Sequence, residues 1–501
     1  MNKSIVVLVG LLALVLVSVA GAAAPTNASP GATPFAACTA DQAALQQSLG
    51  STLYPGSEIE PRSAINPTNP NNIIGVYQQD RWSDGGSRGT VASVTHNGGS
   101  SWTRVVVSGV SACSGNLAFA RATDPWVTFS PDGTAWQFTF SFDAFSQSNA
   151  MFVSKSTNGG DTWGAPIALI DERSPADPKR QFTGGNDKNS ITADPTDSRY
   201  VYAVWDRYQS PPSERAVDIA RIRAASYEQP ALLSRTTDGG ATWSTPREIL
   251  DSGTHAGTIG NVIAVTSSGV VLDGTMIFSD NAQRKLPYWG VAVVRSTDKG
   301  ATWSKKPIIV ATANPADPGP VDPGTGQPVR AGFFDFATGP NNTAYAVWTD
   351  DSLTPGIESI LYSQSSDGGL TWSQPFAVNK TPRNIPALDQ QAFTPTVTVT
   401  SAGVVGISYY DFRANAPNLG SKTDMWLVRC PNACTRPASW SEVRVTPTSF
   451  DMSAAPFARG EFLGDYMGMT TSGTTFQPFF IQSGTPPAAD GPADAFFTTI
   501  P

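Results

Sequence analysis

The chain has two histidines, four cysteines and little charge: 15% of its 501 residues are Asp, Glu, Lys or Arg. Each scarcity excludes something. His96 falls inside a turn motif and His255 stands alone in a loop. Neither Ser-His-Asp hydrolysis nor a His-ligated zinc therefore has its parts. With a net charge of −8 and no long basic run, the chain has nothing to grip the phosphates of a nucleic acid. No Gly-rich loop leads from a strand into a helix, which leaves nucleotide chemistry unsupported. Beyond the N-terminus no apolar segment reaches membrane-spanning length.

The N-terminus carries the one long apolar run. Lys3 precedes an almost wholly apolar stretch from Ile5 to Ala20, which ends in Gly21-Ala22-Ala23-Ala24. The run is shorter than the ~20 residues of a membrane span and ends in small residues. Residues 1–24 therefore read as a cleaved signal peptide rather than an anchor, and no Cys stands near its end to take a lipid. The expected location is extracellular, with no stable membrane insertion after cleavage. Residues 25–44 are expected to be a disordered leader, rich in Pro, Ala, Ser and Thr. Four cysteines in an exported chain imply two disulfides, Cys430 with Cys434 and Cys38 with Cys113. A metal site is the rival, but Cys430-x₃-Cys434 has no His beside it.

What the chain has in quantity is turns and aromatics: 45 Gly, 40 Pro and 10% Phe, Trp and Tyr. That composition describes a large all-β protein. A motif recurs through it. Ser296-Thr-Asp-Lys-Gly-Ala-Thr-Trp303 has near copies ending at Trp243 and Trp372, and copies with Asn for Asp ending at Trp102 and Trp163. The turn residues are Asn97, Asn158, Asp238, Asp298 and Asp367. Each has a short acceptor that bonds nearby backbone N–H groups, a Gly that supplies positive φ, and a Trp to anchor the returning strand. Repetition at intervals of this size signals stacked or radial units. The motif resembles the Asp box, or BNR repeat, of sialidases and other secreted β-propellers. The resemblance implies a propeller over residues 45–501, but the box marks architecture rather than activity.

Before each box lies a hairpin of alternating β-branched and aromatic residues, such as Val127 to Phe140 around Pro131-Asp132-Gly133 and Thr396 to Tyr409 around Ser401-Ala402-Gly403. With a strand on either side of the box, each unit has four antiparallel strands. Seven such hairpins predict seven blades. Six, the number sialidases have, is the alternative. The last unit has only three strands of its own, and residues near Thr52–Tyr54 are expected to complete it and close the ring.

This topology puts the short turns on one face and the charged loops on the other. The charged face collects Glu60 and Arg62, Asp80-Arg81-Trp82-Ser83-Asp84, Arg121 with Asp124, Asp187-Lys188, Asp206-Arg207 and Asp280. It also collects Arg330, Asp335, Asp350-Asp351, Asp411-Phe412-Arg413, Arg459 and Asp465-Tyr466. Two insertions join it, residues 209–229 with a short helical pattern from Ser213 to Arg223, and the Pro- and Gly-rich residues 314–328. Asp, Glu, Tyr and Arg around an opening suit an acidic sugar: carboxylates move protons and arginines grip an anion.

Carried over residue by residue, the sialidase resemblance implies Arg62 as a clamp on the substrate carboxylate. It implies Asp84 as acid/base and Tyr466 as nucleophile. Arg121, Arg284, Arg413, Arg459 and Asp465 are the accompanying substrate-binding candidates. The Glu that should partner the Tyr is missing where Ile259-Gly260-Asn261 stands, and Glu461 is the substitute to consider. The expected function is thus a secreted, sialidase-like glycoside hydrolase of the exo-α-sialidase type, acting on an acidic glycan or glycoconjugate at the charged face. The alternative is a non-catalytic propeller that binds carbohydrate or protein. In that alternative the Asp-Arg pairs at 80–81, 206–207 and 411–413 are structural ion pairs. No cofactor is expected, although the Asp-rich loops suit a structural Ca²⁺.

Overall fold

A computed structural model describes residues 22–173, 184–209, 228–253, 256–279, 287–315, 319–332, 334–484 and 491–501. The signal-peptide run, the short helical pattern at 213–223, His255, Asp280 and Arg284 lie outside the described residues.

The protein is all-β, and one arrangement recurs along it. Strands Leu53–Ile65, Ile73–Trp82, Ser87–Thr95 and Thr103–Val106 pair antiparallel in that order. Arg121–Phe129, Ala135–Phe142, Asn149–Ser156 and Ile167–Glu172 repeat the meander. So do the groups starting at Gly184, Ala256, Phe334 and Ala392. The first strand of each group packs against the first strand of the next, and Leu53–Ile65 also packs against Gly468–Ser472 at the far end of the chain.

The last sheet differs from expectation. Gly468–Ser472, Thr475–Ser483 and Ala493–Phe497 pair in order, and the fourth strand is Thr26–Asn27, registered on Phe497 and Phe496. Leu53 and Tyr54 instead pair with Trp82 and Arg81 in the first sheet. The segment read as a disordered leader is therefore inlaid. Ser29 Oγ donates to Glu58 at 3.1 Å, Thr33 to Asp80 at 2.9 Å, and Phe35 is buried. Both expected disulfides are formed, Cys38–Cys113 and Cys430–Cys434.

The repeated turn is a closed set of local bonds. Ser296 Oγ donates to Asp298 Oδ1 at 2.8 Å and accepts from Gly300 N at 2.9 Å. Thr302 then gives its N–H and its hydroxyl to the two Asp298 oxygens at 2.8 and 2.6 Å. Those donors hold the exposed Asp298 carboxyl near 2, so the turn survives mild acid. Where Asn replaces Asp the last bond reverses: Asn97 Nδ2 donates to Ser101 Oγ at 2.8 Å. The Trp anchors pack across sheet boundaries. Trp102 meets Phe479 and Phe497 edge-on, and Trp243 meets Trp136 of the preceding sheet. Cys430–Cys434 stands where another such turn would be, with Trp440 Nε1 donating to the Cys434 carbonyl.

Asp273 breaks the usual rule that buried polar groups are paired. Asp273 is fully buried in the sheet around Val271–Ser279, and neither carboxylate oxygen has a partner among the described residues. Burial pushes its pKa well above the ordinary range. The folded chain must then hold a proton that the unfolded chain releases above about pH 4, which costs stability as pH rises. Asp273→Asn should raise stability by about 1–3 kcal/mol at pH 7 and leave it unchanged near pH 4. Thermal melts at the two pH values check this, and an equal shift at both would refute it.

Candidate functional site

The charged cleft is built by a backbone irregularity. In five of the first strands the register slips at a matching place, between Ile59 and Arg62, Thr123 and Trp126, Asp187 and Ser190, Ile259 and Val262, and Phe393 and Thr396. Within each slip sits a residue of positive φ: Glu60 at 52°, Asp124 at 49°, Lys188 at 45°, Gly260 at 73° and Thr394 at 51°. These are β-bulges, which insert an unpaired residue and re-aim its side chain. Four of the five are not glycine, at a cost of order 1 kcal/mol or more each.

What the bulges bring together is a buried ionic cluster. Lys188 Nζ lies 3.3 Å from Glu60 Oε1 and 3.1 Å from Asp124 Oδ1, and it also pairs with Asp465. Arg330 Nη2 reaches Asp465 Oδ2 at 3.2 Å. Gln78 Nε2 donates to Glu60 and, at 2.9 Å, to Thr123 Oγ1, while its carbonyl accepts from Arg81 at 2.6 Å. Arg81 and Arg330 both stack on Phe462, 5.0 and 4.7 Å from its ring centre. Glu60, Arg81, Asp124, Lys188, Arg330 and Arg459 line one open cavity. A second shares Lys188 with it and is walled by Asp465, Trp126, Phe334 and Tyr466.

The carboxyl groups are pushed in opposite directions. Burial raises Glu60 to about 8; Asp124 and Asp465 add to that, and Lys188 only partly offsets it. Burial also opposes ionisation of Asp465, but Arg330, Lys188 and a hydrogen bond with Glu60 hold it well below the usual carboxylate range. For Lys188, burial works against the ammonium, and the three carboxylates more than restore it. At neutral pH, Glu60 is a protonated donor beside an ionised Asp465. Two carboxyls separated in this way are the arrangement of an acid and a base in one site.

The structure brings some of the expected residues together and separates others. Arg62 lies 4.1 Å over the Trp126 ring and donates to Asp335 at 3.3 Å and to the Met467 carbonyl at 3.2 Å. Tyr466 packs on the same Trp126, 5.1 Å between ring centres. Asp84 lines the first cavity but is fixed by Arg121 at 2.7 Å and by Ser51 at 2.7 Å. Despite partial burial those bonds lower its pKa, so it carries no proton to give near neutrality. Tyr466 donates its hydroxyl to the Pro125 carbonyl at 3.2 Å. Burial, then Glu60, Asp124 and Asp465, put its pKa well above 10, the opposite of an activated nucleophile. Arg121 stacks on Trp82 and serves Asp84 and Gln46. Arg413 is held elsewhere by Asp411, Glu442 at 2.6 Å and Trp426 at 3.8 Å. Glu461 accepts from Thr325 rather than from Tyr466.

Of the expected ion pairs at the strand ends, Asp411–Arg413 forms. Asp206 instead receives Gly260 N at 2.9 Å and Thr258 Oγ1 at 2.8 Å from the neighbouring sheet, while Arg207 pairs with Glu172. Asp80 caps Gly56 N at 2.8 Å. Asp124, Lys188 and Arg330 are members of the cluster that the sequence places on the charged face without a role. The available signal was the recurring acid-before-proline, Glu60-Pro61 and Asp124-Pro125, at matching points of successive repeats.

No protein-family profile matches the chain, and no curated protein does. Among solved structures it is similar to the Hadza microbial sialidase Hz136, at 15% identity over 85% of this chain and 76% of that one, with a TM-score of 0.44. The NanB sialidase from Streptococcus pneumoniae matches at 10% identity over 90% and 94%, TM-score 0.44. The α-L-arabinofuranosidase Arb93A from Fusarium graminearum matches at 12% over 89% and 94%, TM-score 0.43. Likeness of this degree carries neither an activity nor a residue role across to this chain.

Proposed function

We propose that the chain is a secreted glycoside hydrolase acting on an acidic glycan, in a cleft at one end of a closed seven-bladed propeller. The ring reading is supported by the succession of first-strand contacts, which returns from Gly468–Ser472 to Leu53–Ile65, and by the completion of the last sheet by Thr26–Asn27. Two disulfides support an oxidising location.

The observation that carries the catalytic reading is the hydrogen-bonded Glu60–Asp465 pair with opposed proton affinities. A glycosidic oxygen entering the cleft replaces Asp465 as acceptor of the Glu60 proton. The bond to the anomeric carbon breaks as that proton transfers to the leaving oxygen, the ionised Asp465 faces the positive charge that develops, and water attacks the anomeric carbon and returns a proton to Glu60. Lys188 stays between the carboxyls and keeps Asp465 ionised. Arg81, Arg330 and Arg459 line the same cavity and suit the substrate's acidic group. The specific observation favouring the non-catalytic alternative is that Lys188 already contacts Glu60, Asp124 and Asp465 together, as a purely structural hub would.

A panel of fluorogenic glycosides, sialosides first and uronosides next, tests the reading. Tyr466→Phe should retain activity within about tenfold, since carboxyl chemistry needs no phenol. Complete loss with an unchanged melting temperature would return the nucleophile role to Tyr466. Absence of turnover across the panel would favour the binding protein.

A further inference from the structure

The segment leading into Arg330 is inlaid against the strand leading into Asp465. Val329–Ala331 pairs parallel with Glu461–Gly464. Upstream, the Gln391 amide bonds both the N–H and the carbonyl of Val321, at 2.8 and 2.7 Å. Asp322 Oδ1 accepts from Ser421 Oγ at 3.0 Å and from Gly324 N at 2.7 Å, and Thr325 Oγ1 donates to Glu461 Oε1 at 2.9 Å. The fit is close enough that a Cβ on Gly324 would lie 2.4 Å from Ser421 Oγ.

One contact in this interface leaves negative charge uncompensated. Asp322 is 0% exposed and Glu461 4%, and their carboxyl groups are within hydrogen-bond reach of each other. Asp322 Oδ2 and Glu461 Oε2 are buried and have no donor among the described residues. Two bare carboxylates cannot face each other out of water, so a positive body sits between them. A Ca²⁺ ion takes six to eight oxygens, whereas two are on offer here, at a point closed to solvent. A proton needs only the two.

We propose that Asp322 and Glu461 share a proton, and that this proton latches residues 320–331, with Arg330, onto the strand that delivers Asp465 to the cleft. The surrounding charges favour proton retention. Asp451 adds a negative charge, and Asp424 is neutralised by Arg444 at 2.6 Å. Lys422 is exposed beside Ser421, Arg330 is turned to Asp465, and Arg459 lines the cleft. Burial, then Asp322 and Asp451, raise Glu461 to about 8. The latch is therefore closed at neutral and acid pH and opens as pH rises past that value. What opening does to catalysis rests on the hydrolase reading; the latch itself does not.

Amide hydrogen exchange on the full secreted chain, corrected for the intrinsic pH dependence of exchange, tests it without substrate. Peptides covering 319–332 should lose protection by about tenfold or more between about pH 7 and pH 9.5, while the strands Ala135–Phe142 and Asn149–Ser156 do not change. In Glu461→Gln the amide donates to Asp322 Oδ2 without a borrowed proton, so protection should persist through the same range. Asp322→Asn supplies the same donor from the other side and should behave alike, which keeps the test decisive if one variant folds poorly. Wild-type protection indifferent to pH, or variants that open as wild type does, would overturn the proposal. So would protection at pH 7 that falls with EDTA and returns with Ca²⁺, since a cation would then occupy the site.

Discussion

Glu60→Gln should lower glycosidase kcat by about 10²–10⁴-fold, the usual worth of a positioned general acid, with little change in melting temperature. Gln keeps the shape, its carbonyl can still accept from Lys188 and its N–H can donate to Asp465, so the cluster stays assembled while the transferable proton is gone. The wild-type enzyme should show the same dependence through pH. Glu60 holds its proton up to about 8 because burial raises it, so kcat/KM should fall as pH rises through that value. The variant should lack this alkaline limb. Initial rates on the best glycoside of the panel, measured from about pH 5 to pH 9.5, read both effects. A variant that keeps the wild-type rate and limb would remove Glu60 from the chemistry. The same experiment separates this titration from the Asp322–Glu461 latch, because Glu461→Gln should leave the Glu60 limb in place.

The features legible in the sequence were those whose physics is local. The turn at Ser296–Trp303 closes all its bonds within the motif, so spelling and structure coincide. The Cys430–Cys434 bridge spans four residues and substitutes for such a turn. The site was less legible because its geometry comes from bulges, where acidic and basic residues take φ values that local preference assigns to glycine. Nothing near Lys188 in sequence announces that it will meet Glu60, Asp124 and Asp465. Those partners come from two other strands and from the bend after Glu461–Gly464, and from both ends of the chain. Position alone pointed to Asp84 and Tyr466, and their surroundings lower the proton affinity of the first and raise that of the second. The inlaid N-terminus was hidden for another reason: Thr26 and Asn27 join the last sheet through backbone pairing, which composition does not record.

Lys188→Met should be among the most destabilising single changes in the chain, costing about 3–5 kcal/mol at pH 8, as removal of one partner from a buried ion pair does. Met keeps most of the side-chain volume, so the loss reports charge rather than a cavity. Without the ammonium, Glu60, Asp124 and Asp465 share a buried space with Arg330 and Arg81 as the remaining cations. Their repulsion and desolvation raise the affinity of the folded state for protons above that of the unfolded chain, whose carboxyls titrate near 4. The unfolded state then binds fewer protons than the folded state across the range from about pH 5 to pH 8, so stability falls as pH rises. Acidification restores it, because protonated carboxyls need no counter-charge. Melting curves of wild type and variant at about pH 5 and pH 8 read the effect directly, with a large gap at the higher pH that narrows at the lower. A gap of equal size at both would mean that Lys188 acts through packing, and that the three carboxylates do not depend on its charge.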